Sequence, residues 1–270
     1  MSLIMVRPEQ VEHPYYVEPL GVHIGSSQEL CYVIYNNLLI VMNDFVNDRL
    51  IDFIRRELGR PLLADRLSAW KRSRENPAEM LAIILDDCNY YTTREVNAFR
   101  QRIESLRKMS QSEFWKETAD NYYRLRQYGT AVRYYEKILD EWRNGSLTDE
   151  FTANVWNNVG ACYAGIFWFE KAMGAYEMSY NFRKEMATIK KLYLLTLLNP
   201  ELVLKDRYRA LITEEKRLEW KAELRKALEE AGECQKVKDV ERLFDRDPIR
   251  RAEGAEKIIS RWKREYRKML

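Results

Sequence analysis

Three side chains able to do chemistry stand in a row at Asp86-Asp87-Cys88, two carboxylates for proton transfer beside a thiol nucleophile. Neighbours on a helix point roughly 100° apart, so the three do not converge on one substrate. Acids facing water near a helix end are the favoured reading. The chain has only two histidines, His13 and His23, both in a non-helical N-terminal stretch. A metal pair there needs further ligands, and none follows at a fitting spacing. GxGxxG, a phosphate loop ending in Gly-Lys-Ser/Thr, HExxH and GxSxG are all missing. The sequence therefore predicts no catalytic residue, no metal and no cofactor. An enzyme with an unrecognised helical site remains an alternative.

Binding chemistry is the other possibility, and it needs elements to position it. Trp156, Val159, Gly160, Tyr163, Ala172 and Tyr176 match Trp115, Thr118, Ala119, Tyr122, Ala131 and Tyr135, each at an offset of 41 residues. The first four positions of each copy fall at i, i+3, i+4 and i+7, one face of a helix. A small residue, Ala119 or Gly160, admits a second helix. That helix brings its own small residue and then Tyr135 or Tyr176 one turn later, so two antiparallel helices nest large against small. In WNNVGACYAGIFWFEKAMGAY, Gly165 and the residues after it are the expected turn, with Trp168 and Phe169 opening the second helix.

This pattern, W-x2-[TV]-[AG]-x2-Y-x8-A-x3-Y, resembles the tetratricopeptide repeat (TPR). The resemblance covers about Ser112 to Glu185, with departures: Thr118 stands where Leu is commoner, and no Pro follows the second helix. The family's period is about 34 residues. A long second helix, AVRYYEKILDEW, and the turn RNGSLTD account for the excess, with Asn144-Gly145 as helix stop and Thr148 or Asp149 as cap.

The resemblance implies an all-α fold: an α-solenoid of antiparallel helical hairpins, a TPR-like superhelix, with a short irregular or extended N-terminal segment. Residues 1–25 form that segment, containing YYVEPLGVHI. Residues 26–111 supply further helical hairpins, beginning with a Ser26-x-x-Glu29 capping box ahead of ELCYVIYNNLLIVM. Two repeats occupy 112–186, about 112–145 and 153–186. Helices over 187–270 cap the solenoid, because two hairpins alone leave apolar ends exposed.

Stacked hairpins line a concave face with their first helices. Its predicted partner-binding residues are Lys116, Asp120, Tyr123 and Arg124, then Asn154, Asn157, Asn158 and Ala161, then Lys191. Amides and Lys on such a face suit an extended peptide, whose main chain offers donors and acceptors throughout. Some family members grip a C-terminal carboxylate there with Lys and Asn. Lys116 and Asn158 match that arrangement, but Asp120 stands where a second Asn is expected, and its charge repels the ligand's own.

Composition narrows the classes. Of 270 residues, 46% are hydrophobic, as in globular chains, and the 32% that are charged nearly cancel at +3. Tyr and Trp, 17 and 7, are read as core rather than as base-stacking platforms, and nucleic acid is not an expected partner. The four cysteines lie far apart without CxxC and are read as buried free thiols in a reducing compartment. The N-terminus lacks a signal-peptide core, and the longest apolar run, LCYVIYNNLLIVM, is too short to span a bilayer. A cytoplasmic protein is expected, binding a peptide or partner protein without enzymatic activity.

The alternative is a TPR-type regulator contacting nucleic acid through a basic helix. Residues 249–270 carry many Arg and Lys opposite an apolar stripe of Ala255, Ile258, Ile259, Trp262, Tyr266 and Met269. Such a helix more commonly buries its stripe as a cap. RELGRPLLADRLSAW is the nearest candidate for a helix-turn-helix, and it does not show the tight turn between two short helices.

Overall fold

A computed structural model describes residues 11–270 apart from 43, 74, 143–146 and 246. The described chain is mostly α-helical and divides into two compact units, Met1–Ser110 and Gln111–Leu270. The stop expected at Asn144-Gly145 lies outside the described residues.

In the first unit, β1 (Tyr15–Val17) pairs antiparallel with β2 (Val22–Ile24), and Gly21 closes the connection at φ 64°. Tyr15 packs edge-on against Phe45 at 6.3 Å and tilted against Phe53 at 5.6 Å. Ser26 caps α1 (Ser27–Asn36) by accepting from Glu29 N–H at 3.2 Å. The Glu29 carboxylate reaches Gly25 N–H at 2.6 Å instead of the cap residue's own.

The stretch read as one helix breaks at Asn37, and α2 (Leu38–Val41) follows. Asn37 turns its amide back to Val33 O at 3.0 Å, competing with the helical backbone as Asn side chains do. Next come α3 (Asp48–Arg56) and α4 (Pro61–Ser73). They correct the reading of RELGRPLLADRLSAW, because two short helices do meet there across residues 57–60. Gly59 at φ 63° makes the bend. Asp65 on α4 is ion-paired to Arg55 at 2.7 Å, so the outer surface carries mixed charge. In α5 (Glu79–Cys88) every residue from Met80 to Leu85 is buried, as expected of a helix apolar all round. A full capping box, Thr92 with Glu95, opens α6 (Thr93–Lys108).

The second unit starts with two helical hairpins. α7 (Gln111–Arg124) and α8 (Tyr128–Trp142) form the first, α9 (Asp149–Gly165) and α10 (Phe169–Phe182) the second. Their antiparallel sense follows from the contacts. Ser112 donates to Glu141 and Tyr135 to Asp120, while Ser179 donates to Ala153 O at 2.9 Å. Of the six matched positions, Thr118, Ala119, Tyr122, Ala131 and Tyr135 are buried in the first hairpin. In the second, Val159, Gly160, Ala172 and Tyr176 are buried and Tyr163 is half-buried. Trp115 and Trp156 are both half-buried.

The two hairpin turns share one backbone geometry. Arg126 and Phe167 both adopt left-handed φ, 58° and 63°. Gln127 N–H donates to Tyr122 O and Trp168 N–H to Tyr163 O, both at 2.9 Å. Arg126 N–H donates to Tyr123 O and Phe167 N–H to Ala164 O, at 2.9 and 3.1 Å. These pairs are the two bonds of a Schellman motif, here with non-glycine residues at the left-handed position. Thr148 caps α9 as expected.

Next in the chain are α11 (Met186–Leu198), the short α12 (Asp206–Arg209), α13 (Glu214–Gly232), α14 (Gln235–Phe244) and α15 (Pro248–Met269); α11 packs on α10 and on α13, and α14 on α13 and α15. Helix α13 buries only Trp220, and α15 buries nothing. The far end of α15 returns to the hairpin turns. Tyr266 OH donates to Ile166 O and accepts from Trp168 Nε1, each at 3.2 Å. Ile259 and Trp262, in its apolar stripe, stay 48% and 40% exposed.

Candidate functional site

The residues predicted to line one face lie on α7, α9 and α11. Five of these nine residues join in one hydrogen-bonded chain. Lys116 Nζ bonds Asp120 Oδ2 at 2.7 Å. The other oxygen of Asp120 accepts from Tyr135 OH and, at 3.1 Å, from Asn158 Nδ2. Asn157 Nδ2 donates to Asn158 Oδ1 at 3.4 Å, and Lys191 Nζ donates to Asn157 Oδ1 at 2.5 Å. The i, i+4 spacing sets Lys116 above Asp120 on one helix, and the bonds of Asn158 to Asp120 and of Lys191 to Asn157 carry the chain to α9 and α11.

The remaining four stand outside this chain. Tyr123 is 39% exposed and meets Tyr128 edge-on at 5.4 Å. Arg124 is exposed and reaches Asn121 Oδ1 at 3.5 Å. Asn154 is exposed and Ala161 half-buried.

Electrostatically the two lysines differ. Lys116 is matched by a carboxylate. Lys191 has one amide oxygen and, 5.5 Å away, the face of Tyr176. Burial lowers the Lys191 pKa below the usual lysine value, and the charge of Glu185 opposes this. Three donors on an ammonium leave Lys191 able to take a carbonyl or carboxylate oxygen. Beneath the face, burial and then the bond to Asp120 push the Tyr135 hydroxyl well above the usual tyrosine range. Burial, helped by Asp120, pushes the Cys162 thiol up to about 12.

Tyr135 belongs to the site and was read from sequence only as packing. Its hydroxyl meets Asp120 because position 135 faces position 120 across the hairpin. That relation becomes visible only once the 41-residue match fixes the hairpin register.

The other candidates do not converge. Asp86 bonds Arg100 at 2.6 Å, an arginine shared with Glu79, while Asp87 bonds Arg60 at 3.0 Å. His13 holds Glu57 through its main chain at 3.1 Å and its ring at 3.1 Å. The first of these bonds is the main reason the Glu57 carboxyl titrates below its usual value. His23 lies 4.8 Å from the Tyr16 ring. The four cysteines are free, but only Cys31 and Cys162 are buried; Cys88 is half-buried and Cys234 exposed. Among the described residues no group of His, Cys, Asp or Glu is arranged to hold a metal, and no helix is long and apolar enough to cross a membrane.

No protein-family description, no curated protein and no solved structure matches the chain.

Proposed function

We propose that the chain is a non-enzymatic protein-interaction module, a TPR-like solenoid that binds a peptide or extended partner segment along α7, α9 and α11. What supports this reading most is the polar chain from Lys116 through Asp120, Asn158 and Asn157 to Lys191, which runs across three helices. An extended peptide lying across the layers would meet an amide or a cation at each one. Asp120 has a structural role here, fixing Lys116, Tyr135 and Asn158 in place. Lys191 is the group that receives a ligand oxygen. A cytoplasmic location belongs to the same proposal and rests on the four free thiols, which persist in a reducing compartment.

The test is selection of displayed random peptides on the whole chain, repeated with Lys191→Ala and Asn154→Ala. Peptides enriched by the wild type and lost with both variants support the reading. A selection that enriches nothing, or peptides that both variants hold as tightly as the wild type, would overturn it.

A further inference from the structure

A second feature of Gln111–Leu270 has no place in the peptide reading. A cleft of about 520 Å³ opens between the end of α11, residues 199–205, α12 and the first turns of α13. That lies within the roughly 300–1,000 Å³ typical of small-molecule sites. Its floor is apolar. Tyr193, Leu204 and Ile212 belong to the buried cluster that also holds Trp220, and Leu197 and Leu202 pack against it. At the mouth Val203 is 72% exposed, an aliphatic side chain turned to water.

The rim is cationic. Arg209, Arg217 and Lys221 line the cleft, and no carboxylate does. Arg209 lies 3.6 Å from Asp206, and its Nη2 donates to Leu204 O at 3.3 Å, so the guanidinium stays at the rim. Arg217 meets Glu214 at 3.0 Å. Both are exposed i, i+3 pairs, weak contacts that an incoming anion can replace. Lys221 has no ion-pair partner among the described residues.

An apolar floor beneath three cations selects a molecule with an aliphatic body and one anionic end. We propose that this cleft binds an aliphatic carboxylate, its chain on Leu197, Leu202 and Ile212 and its head group against Arg217 and Lys221. The guanidinium fork matches a carboxylate in two parallel bonds, and the branched aliphatic floor has no aromatic face for a ring to stack on apart from Tyr193.

The test is calorimetric titration of the full chain with decanoate below its micellar concentration, beside decylamine, which has the same chain and the opposite charge. Two variants, Val203→Asp at the mouth and Lys221→Glu at the rim, alter exposed residues and leave the core intact. The expected result is saturable one-to-one binding of decanoate and none of decylamine. Each variant should weaken decanoate at least ten-fold with the thermal midpoint unchanged. No saturable decanoate heat, equal binding of decylamine, or variants that bind like the wild type would each overturn the proposal. A helical peptide rich in Glu and Leu that displaces decanoate, binds at least ten-fold more tightly and is weakened by Val203→Asp would overturn it too, giving the cleft to a partner helix.

Discussion

The ring of Tyr176 occupies the space in which a Cβ at Gly160 would stand, 2.7 Å from ring atoms Cδ1 and Cε1. The matched large and small residues of the repeat are thus in direct contact in the second hairpin, and the same ring carries Lys191 on its face.

Gly160→Ala is therefore expected to destabilise the chain despite the better helix propensity of alanine. Overpacking costs about 1–3 kcal/mol, and propensity returns up to about 1. The control is Gly174→Ala in α10, where an added Cβ meets nothing within 4 Å. It should stabilise by roughly 0.5–1 kcal/mol. Urea midpoints moving the same way for both would contradict the packing described.

Asp120 tests whether the polar chain stabilises the first hairpin. Asp120→Ala leaves the buried Tyr135 hydroxyl, Lys116 and Asn158 each short of a partner. The expected loss is about 1–3 kcal/mol, with Asp120→Asn retaining most of the difference. A midpoint unchanged in Asp120→Ala would show that these bonds contribute nothing net.

The cysteines separate by reactivity and pH. A thiolate is the reacting species, and the Cys162 thiol titrates near 12 from an ordinary value of 9.0. Between pH 7 and 9 Cys162 should stay unlabelled in the native chain, while Cys234, which is exposed, is labelled. The sign for stability follows. The fold favours the protonated thiol, so the contribution of Cys162 is intact below pH 9 and is lost as pH rises towards 12. Mass-spectrometric mapping of alkylation sites reads both residues in one experiment.

Tyr266→Phe removes both hydrogen bonds that hold the end of α15 on the second hairpin turn. With no buried residue behind it, the helix should become more open to proteolysis over 248–270, while the hairpins keep their hydrogen-exchange protection. Cleavage at an unchanged rate would mean that other contacts hold α15.

What could be read from the sequence was whatever depends on local spacing. The capping residues Ser26 and Thr148 lie within four residues of the amides they serve, and the large-small positions recur at one interval. The break at Asn37 was hidden because apolar residues continue on both sides of it. The Asp120–Tyr135 contact depends on register between two helices, which no single helix's pattern reports. The stripe of α15 is partly covered: Ala255, Ile258, Tyr266 and Met269 are half-buried, while Ile259 and Trp262 stay exposed, a division set by packing partners that the stripe itself does not encode.

The left-handed corners at Arg126 and Phe167 bear on what such hairpins ask of their side chains. Their bend is written in amide and carbonyl atoms, which every residue except proline can supply. A charged side chain at one corner and an aromatic ring at the other give the same shape. Two hairpins can therefore differ in every side chain at their tips and still reverse the chain in the same way.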